Sequence, residues 1–150
     1  MIDNLFELFK KLIDSPEEAH TEDSVVLAAV SLMLEVARSD QGGEQVEHNV
    51  IRNILSDEFK IEIESIETLL KVGVEEVEVA TDLFQFTKLI NAHYSRKEKE
   101  GLIYAMWRVA MADGKVQAIE DHTIRRVSGL IHVAHGDFIR LKLSARKPTT

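Results

Sequence analysis

Trp107-Arg-Val-Ala-Met-Ala-Asp-Gly-Lys-Val-Gln-Ala-Ile-Glu120 joins the end of one helix to the start of the next. Ile103, Met106, Trp107 and Ala110 recur at spacings of three, four and seven, one face of a 3.6-residue repeat. Gly114 follows that run, where a helix commonly ends in a residue of positive φ. Beyond the turn, Val116, Ile119, Val127, Leu130 and Ile131 start a second apolar face. The same stretch occurs 73 residues earlier without a gap. Val109-Ala110 falls on Val36-Ala37, Asp113 on Asp40, Ile119 on Val46 and Glu120 on Glu47. Met106, Ile124 and Arg125 fall on Met33, Ile51 and Arg52. The sequence therefore holds a duplicated helix–turn–helix. Two copies are too few for a solenoid, which needs about three stacked units. They are expected to pack face to face about a pseudo-twofold axis, residues 27–55 superposing on 100–128.

The rest of the chain is read as helical too. Leu5, Phe9 and Leu12 share one face of a short helix over residues 2–13, widened by Phe6, Leu8 and Ile13. Ser15-Pro16-Glu17-Glu18 has the residue order of a helix start, and Thr21 is the expected cap of the next helix, which runs to about Ser39. Val25, Val26, Ala29, Val30, Met33, Leu34 and Ala37 make that helix apolar over a wide arc, so it should be central. Val46, Val50, Ile51, Ile54 and Leu55 predict a helix ending near Phe59. Residues 61–80 fit a helix through Ile63, Ile66, Leu69 and Leu70, although residues 72–79 alternate like a strand; a lone strand would lack a partner. Another helix runs from Leu83 to about Tyr94. Ser95-Arg-Lys-Glu98 is a capping box opening the helix that reaches Trp107. Gly136-Asp137 is read as the end of one helix and the cap of a last short one with Phe138, Ile139, Leu141 and Leu143, and residues 145–150 as a frayed tail. The expected fold is all-α, a single domain over residues 1–150 with seven or eight helices and a core over about 20–143.

Composition narrows the function. The 150 residues are 45% hydrophobic and 29% charged, with no cysteine. Thiolate chemistry, disulfides and Cys-based zinc sites are thereby excluded. The longest apolar run, residues 25–34, is half a membrane span and contains Ser31. The acidic start lacks the basic and apolar regions of a secretion signal, so a cytoplasmic location is expected. Charge is uneven. Residues 1–80 carry 19 acidic and 6 basic side chains, a net of −13; residues 81–150 carry 7 and 12, a net of +5, giving the overall −8. The acidic half suits cations or a basic protein partner and disfavours nucleic acid. Arg125-Arg126 and the basic residues 140–147 lack the interleaved aromatics of a nucleic-acid surface. No nucleophile elbow, zincin motif or phosphate-binding glycine loop is present, so no enzymatic activity is expected.

The repeated turns resemble the TerB-like family of bacterial tellurite-resistance and stress-response proteins. The carriers are Val-Ala-Met-Ala-Asp113-Gly114-Lys-Val116 with Glu120 and Ile124, and Val-Ala-Arg-Ser-Asp40 with Glu47 and Ile51. The first copy departs from the pattern, with Gln41 in place of the glycine and Gly42-Gly43 after it. The resemblance implies an all-helical fold with two related halves, and a cation-binding acidic cluster of Asp40, Glu47, Asp113 and Glu120. It carries no enzymatic activity.

The residues themselves leave two readings of those acids. Asp40 and Asp113 follow the last turn of a helix, where the dipole disfavours a negative charge by roughly 0.3–1 kcal/mol. A divalent cation (calcium, magnesium or manganese) held by carboxylate oxygens would compensate. In the other reading each Asp bonds amides of its own turn and each Glu sits at a helix N-terminus, with Arg52 and Arg125 as counter-charges. A true EF-hand is ruled out, because its first two ligand positions would fall on Val109 and Met111. His48 and His122 lie beside the repeat's acids as candidate nitrogen ligands, or as plain surface residues. Without a metal, the chain reads as an interaction scaffold with an acidic docking surface.

Overall fold

The computed structural model describes residues 22–38 and 44–146, which contain seven helices and no strand. They are α1 (Glu22–Arg38), α2 (Glu44–Asp57), α3 (Ile63–Val79), α4 (Phe84–His93), α5 (Arg96–Ala110), α6 (Ala118–Leu130) and α7 (His135–Arg146). The helix expected over residues 2–13, the start signals at Ser15 and Thr21, and Asp40 lie outside the described residues.

The apolar patterns become one shared core. Helix α1 is buried on nearly every side, with Leu27, Ala28, Ala29, Val30, Leu32, Met33, Val36 and Ala37 fully inaccessible. It packs against α2, α3, α4, α5 and α6, the central place its wide apolar arc predicts. Its partner is α5, whose Ile103, Met106, Trp107, Val109 and Ala110 are equally buried. Residues 63–79 form a helix, and their alternation serves two faces of α3 rather than a strand.

The packing obeys the duplication. Exchanging α1 with α5 and α2 with α6 turns the α1–α6 contact into the α5–α2 contact, and both exist. The repeat also extends further than the sequence match. Helix α3 packs on α1 and α2 just as α7 packs on α5 and α6. Each second helix is followed by a residue of positive φ, Lys60 at 57° and His132 at 65°, an offset of 72 rather than 73. The chain closes behind each of them. The Ile61 amide donates to the Leu55 carbonyl at 3.1 Å, and the Val133 amide to Ser128 at 2.9 Å. The second turn is one residue tighter. This corrects the reading of Gly136-Asp137: α6 ends at Leu130, and α7 begins at His135 and continues through Ala145.

Local signals fixed the entry to α5. The Glu98 amide donates to Ser95 Oγ at 3.1 Å, and the Ser95 amide donates to Glu98 Oε1 at 2.8 Å. The turn at Gly114 has φ 88°, as its position after the helix requires.

Candidate metal centre at the repeat turns

Helices α2 and α6 hold the repeat's glutamates in matched positions. Both Glu47 and Glu120 are fully buried. They enter the interior because Val46 and Ile119, one residue earlier, point outward and are 45% and 55% exposed. The sequence reading put those two on the core face; the acid side chains occupy that face instead. Ile51 and Ile124, four residues on, complete the inward stripe at zero exposure.

Glu120 reaches back over the first turn of α6, where Oε1 accepts the Gln117 amide at 2.8 Å. A carboxylate at this end of a helix is favoured by the dipole. Asp113 is exposed, and its Oδ1 accepts the Lys115 amide at 3.2 Å, an Asx turn that tightens the loop. The first copy's Asp40 lies outside the described residues. Among the described residues no three of His, Asp and Glu gather into a metal-holding group. A complete donor set at these turns therefore has to include Asp40, backbone oxygens or water. The carboxylates present are the donors that hard divalent cations prefer.

The two arginines proposed as counter-charges work elsewhere. Arg52 Nε donates to Glu67 Oε2 at 2.8 Å, tying α2 to α3. Arg125 pairs with Asp121 at 3.1 Å and lies over the Phe138 ring at 4.8 Å, tying α6 to α7. These are equivalent jobs in the two copies. His122 is exposed, whereas His48 lines a shallow cavity with Leu34, Arg38, Val74, Val77 and Glu78.

The basic tail has a structural role that sequence spacing did not reveal. Lys142 Nζ sits 2.9 Å from Asp121 Oδ2 and 5.0 Å above the Trp107 ring. Arg140 bridges Glu100 and Asp137. Asp121 and Glu100 lie 21 and 40 residues from Lys142 and Arg140, beyond any local pattern. Burial alone would raise the Asp121 carboxyl, but hydrogen bonds from Lys142 and Arg125 outweigh it and hold the group below its ordinary range. A depressed carboxyl stabilises the fold above its unfolded pKa and loses that contribution as pH falls. The difference in melting temperature between wild type and Asp121→Asn should be full at neutral pH and shrink below about 3.9.

Comparison with protein-family models matches residues 26–143 to the family described as TerB, tellurite resistance protein TerB. The chain belongs to the TerB family. No curated protein and no solved structure shows significant similarity to it. The TerB match covers α1 through most of α7, both repeat turns included. Among the described residues of this TerB chain no helix is long and apolar enough to cross a membrane.

Proposed function

We propose that this chain is a non-enzymatic, cytoplasmic stress-response module whose two repeat turns hold a divalent cation through Asp40, Glu47, Asp113 and Glu120. The observation that carries the reading is the burial of Glu47 and Glu120. The chain contains its own comparison. Glu98 caps α5 through the same backbone geometry and is exposed. A cap therefore works without burial, and taking a carboxylate out of water is unfavourable unless charge and hydrogen bonds compensate. Both copies bury a glutamate at the same place. A hard cation such as calcium, magnesium or manganese would supply the opposite charge, drawing also on Asp113 and on Asp40, its equivalent in the duplicated sequence.

The second reading, a metal-free scaffold whose acidic half docks a basic protein, is favoured by the amide bonds that Asp113 and Glu120 already accept. Thermal melts separate the two. A ligand that binds only the folded chain stabilises it by about 2.7 kcal/mol at one hundred times its Kd. Chelator-treated protein should gain several degrees on adding one of the three cations, and Asp113→Asn should gain less. Identical melts with and without every cation would leave the scaffold reading in place.

A further inference from the structure

A groove of about 560 Å³ opens between the first turns of α1, the α2–α3 turn, the end of α4 and the first turns of α5. Its lining is largely apolar: Val25, Val26, Phe59, Tyr94, Gly101 and Leu102. Val26, Phe59 and Tyr94 are only partly covered, although they pack on the core. A Cβ added at Gly101 would meet nothing within 4 Å, so the α5 wall faces open space there.

The duplication supplies the comparison. The corresponding corner of the second copy, between the start of α5 and the α6–α7 turn, encloses about 430 Å³ and is lined by Arg96, Lys99, Glu100, His132 and Asp137 together with Val133 and Ala134. Lys99 stands where Val26 stands in the first copy. Ile131, which precedes the positive-φ residue as Phe59 does, is fully buried. Ion pairs from Arg96 and Arg140 to Glu100 and Asp137 cross that corner. One corner is thus crossed by its own ion pairs, whereas its twin leaves the apolar Val26, Phe59 and Tyr94 partly uncovered, as a surface that receives another element would.

We propose that residues 2–13 of this chain dock their apolar face, Leu5, Phe9 and Leu12, into this groove. Three observations select this occupant. The chain enters α1 at Glu22, and Val25 and Val26 belong to the first turns of that helix, so the groove lies beside the start of α1. Residues 14–21 can span about 26–29 Å when extended, at roughly 3.3–3.6 Å each. The rim bears Glu58 and Glu98, and the segment carries Lys10-Lys11 beside Phe9. An amphipathic helix laid into an apolar groove is a common recognition mode.

The absence of cysteine makes the test direct. Leu5→Cys, Phe9→Cys and Leu12→Cys are each combined with Gly101→Cys in the full chain. Each is also combined with Lys115→Cys, an exposed position beyond the other end of α5. Circular-dichroism melts establish that every variant is folded before oxidation. At least one Gly101 pair should form an intramolecular disulfide about tenfold faster than its Lys115 counterpart, since docking raises the effective concentration of the thiols. Phe9→Asp, placed in a fast pair that retains Phe9, should abolish that excess. Equal rates for all Gly101 and Lys115 pairs would overturn the proposal. So would disulfides that form chiefly between chains, which would assign the groove to a second copy, or a fast pair indifferent to Phe9→Asp.

Discussion

Trp107→Ala should lower the stability of the fold by about 3–5 kcal/mol, the range for removing a buried tryptophan. Trp107 is wholly inaccessible in the last turn of α5. Its ring lies 5.2 Å from the Phe138 ring on α7, tilted by 51°. Lys142 covers the ring, with Nζ at 5.0 Å. Among the described residues its indole nitrogen has no hydrogen-bond acceptor. The loss on truncation is therefore one of packing, and it falls on the contact between α5 and α7. Trp107→Phe retains an aromatic partner for Phe138 and should cost less than half as much. Denaturant midpoints of the three chains measure this directly. A change below about 0.5 kcal/mol for Trp107→Ala, the surface range, would place the side chain outside the core.

Leu34→Ala, at the equivalent position of the first copy, should cost about 2–5 kcal/mol. Leu34 is 2% exposed and faces α3 at Gly73. A Cβ built on Gly73 would lie 2.6 Å from Leu34 Cδ1 and 3.4 Å from Val30 Cγ1. The glycine leaves room for the Leu34 side chain, whose Cδ1 a methyl at position 73 would have to displace. Gly73→Ala alone should cost about 1–3 kcal/mol through overpacking, despite alanine's better helix propensity. In a Leu34→Ala background the new methyl enters the vacated space, and Gly73→Ala should become neutral or stabilising. The coupling, within the roughly 0.5–3 kcal/mol seen for residues in contact, is read from a double-mutant cycle by chemical denaturation. Additive effects would mean that α1 and α3 do not meet through this pair.

The all-helical fold was legible because its signals are local. The 3.6-residue stripes of α1 and α5, the capping box at Ser95 and the turn glycine at 114 each act within a few residues. The duplication of α1–α2 as α5–α6 was legible because it runs without a gap. Its third helix was not, because the shorter turn at His132 shifts the register by one residue and different side chains fill the seam. Ile66, Leu69 and Leu70 are buried on α3, against Phe138 and Leu141 on α7. The end of α6 was misplaced for a related reason. Histidine adopts the conformation usually signalled by glycine, so Gly136 drew the boundary too far along.

At the candidate site, residue types were legible and depth was not. Hydrophobic periodicity assigns Val46 and Ile119 inward, yet Glu47 and Glu120 occupy the buried positions. A side chain's polarity predicts its exposure only where nothing inside the fold accepts its charge. The Lys142–Asp121 and Arg140–Glu100 pairs were equally invisible, since each joins helices remote in sequence.

Isothermal titration of the chelator-treated full chain with calcium, magnesium and manganese tests the central claim most directly. One shared site predicts saturable heat for at least one cation at a stoichiometry of one per chain, with marked weakening in Asp113→Asn and in Glu120→Gln. No saturable heat with any of the three, from a chain whose melt shows it folded, would contradict the cation site and leave the buried glutamates as structural caps.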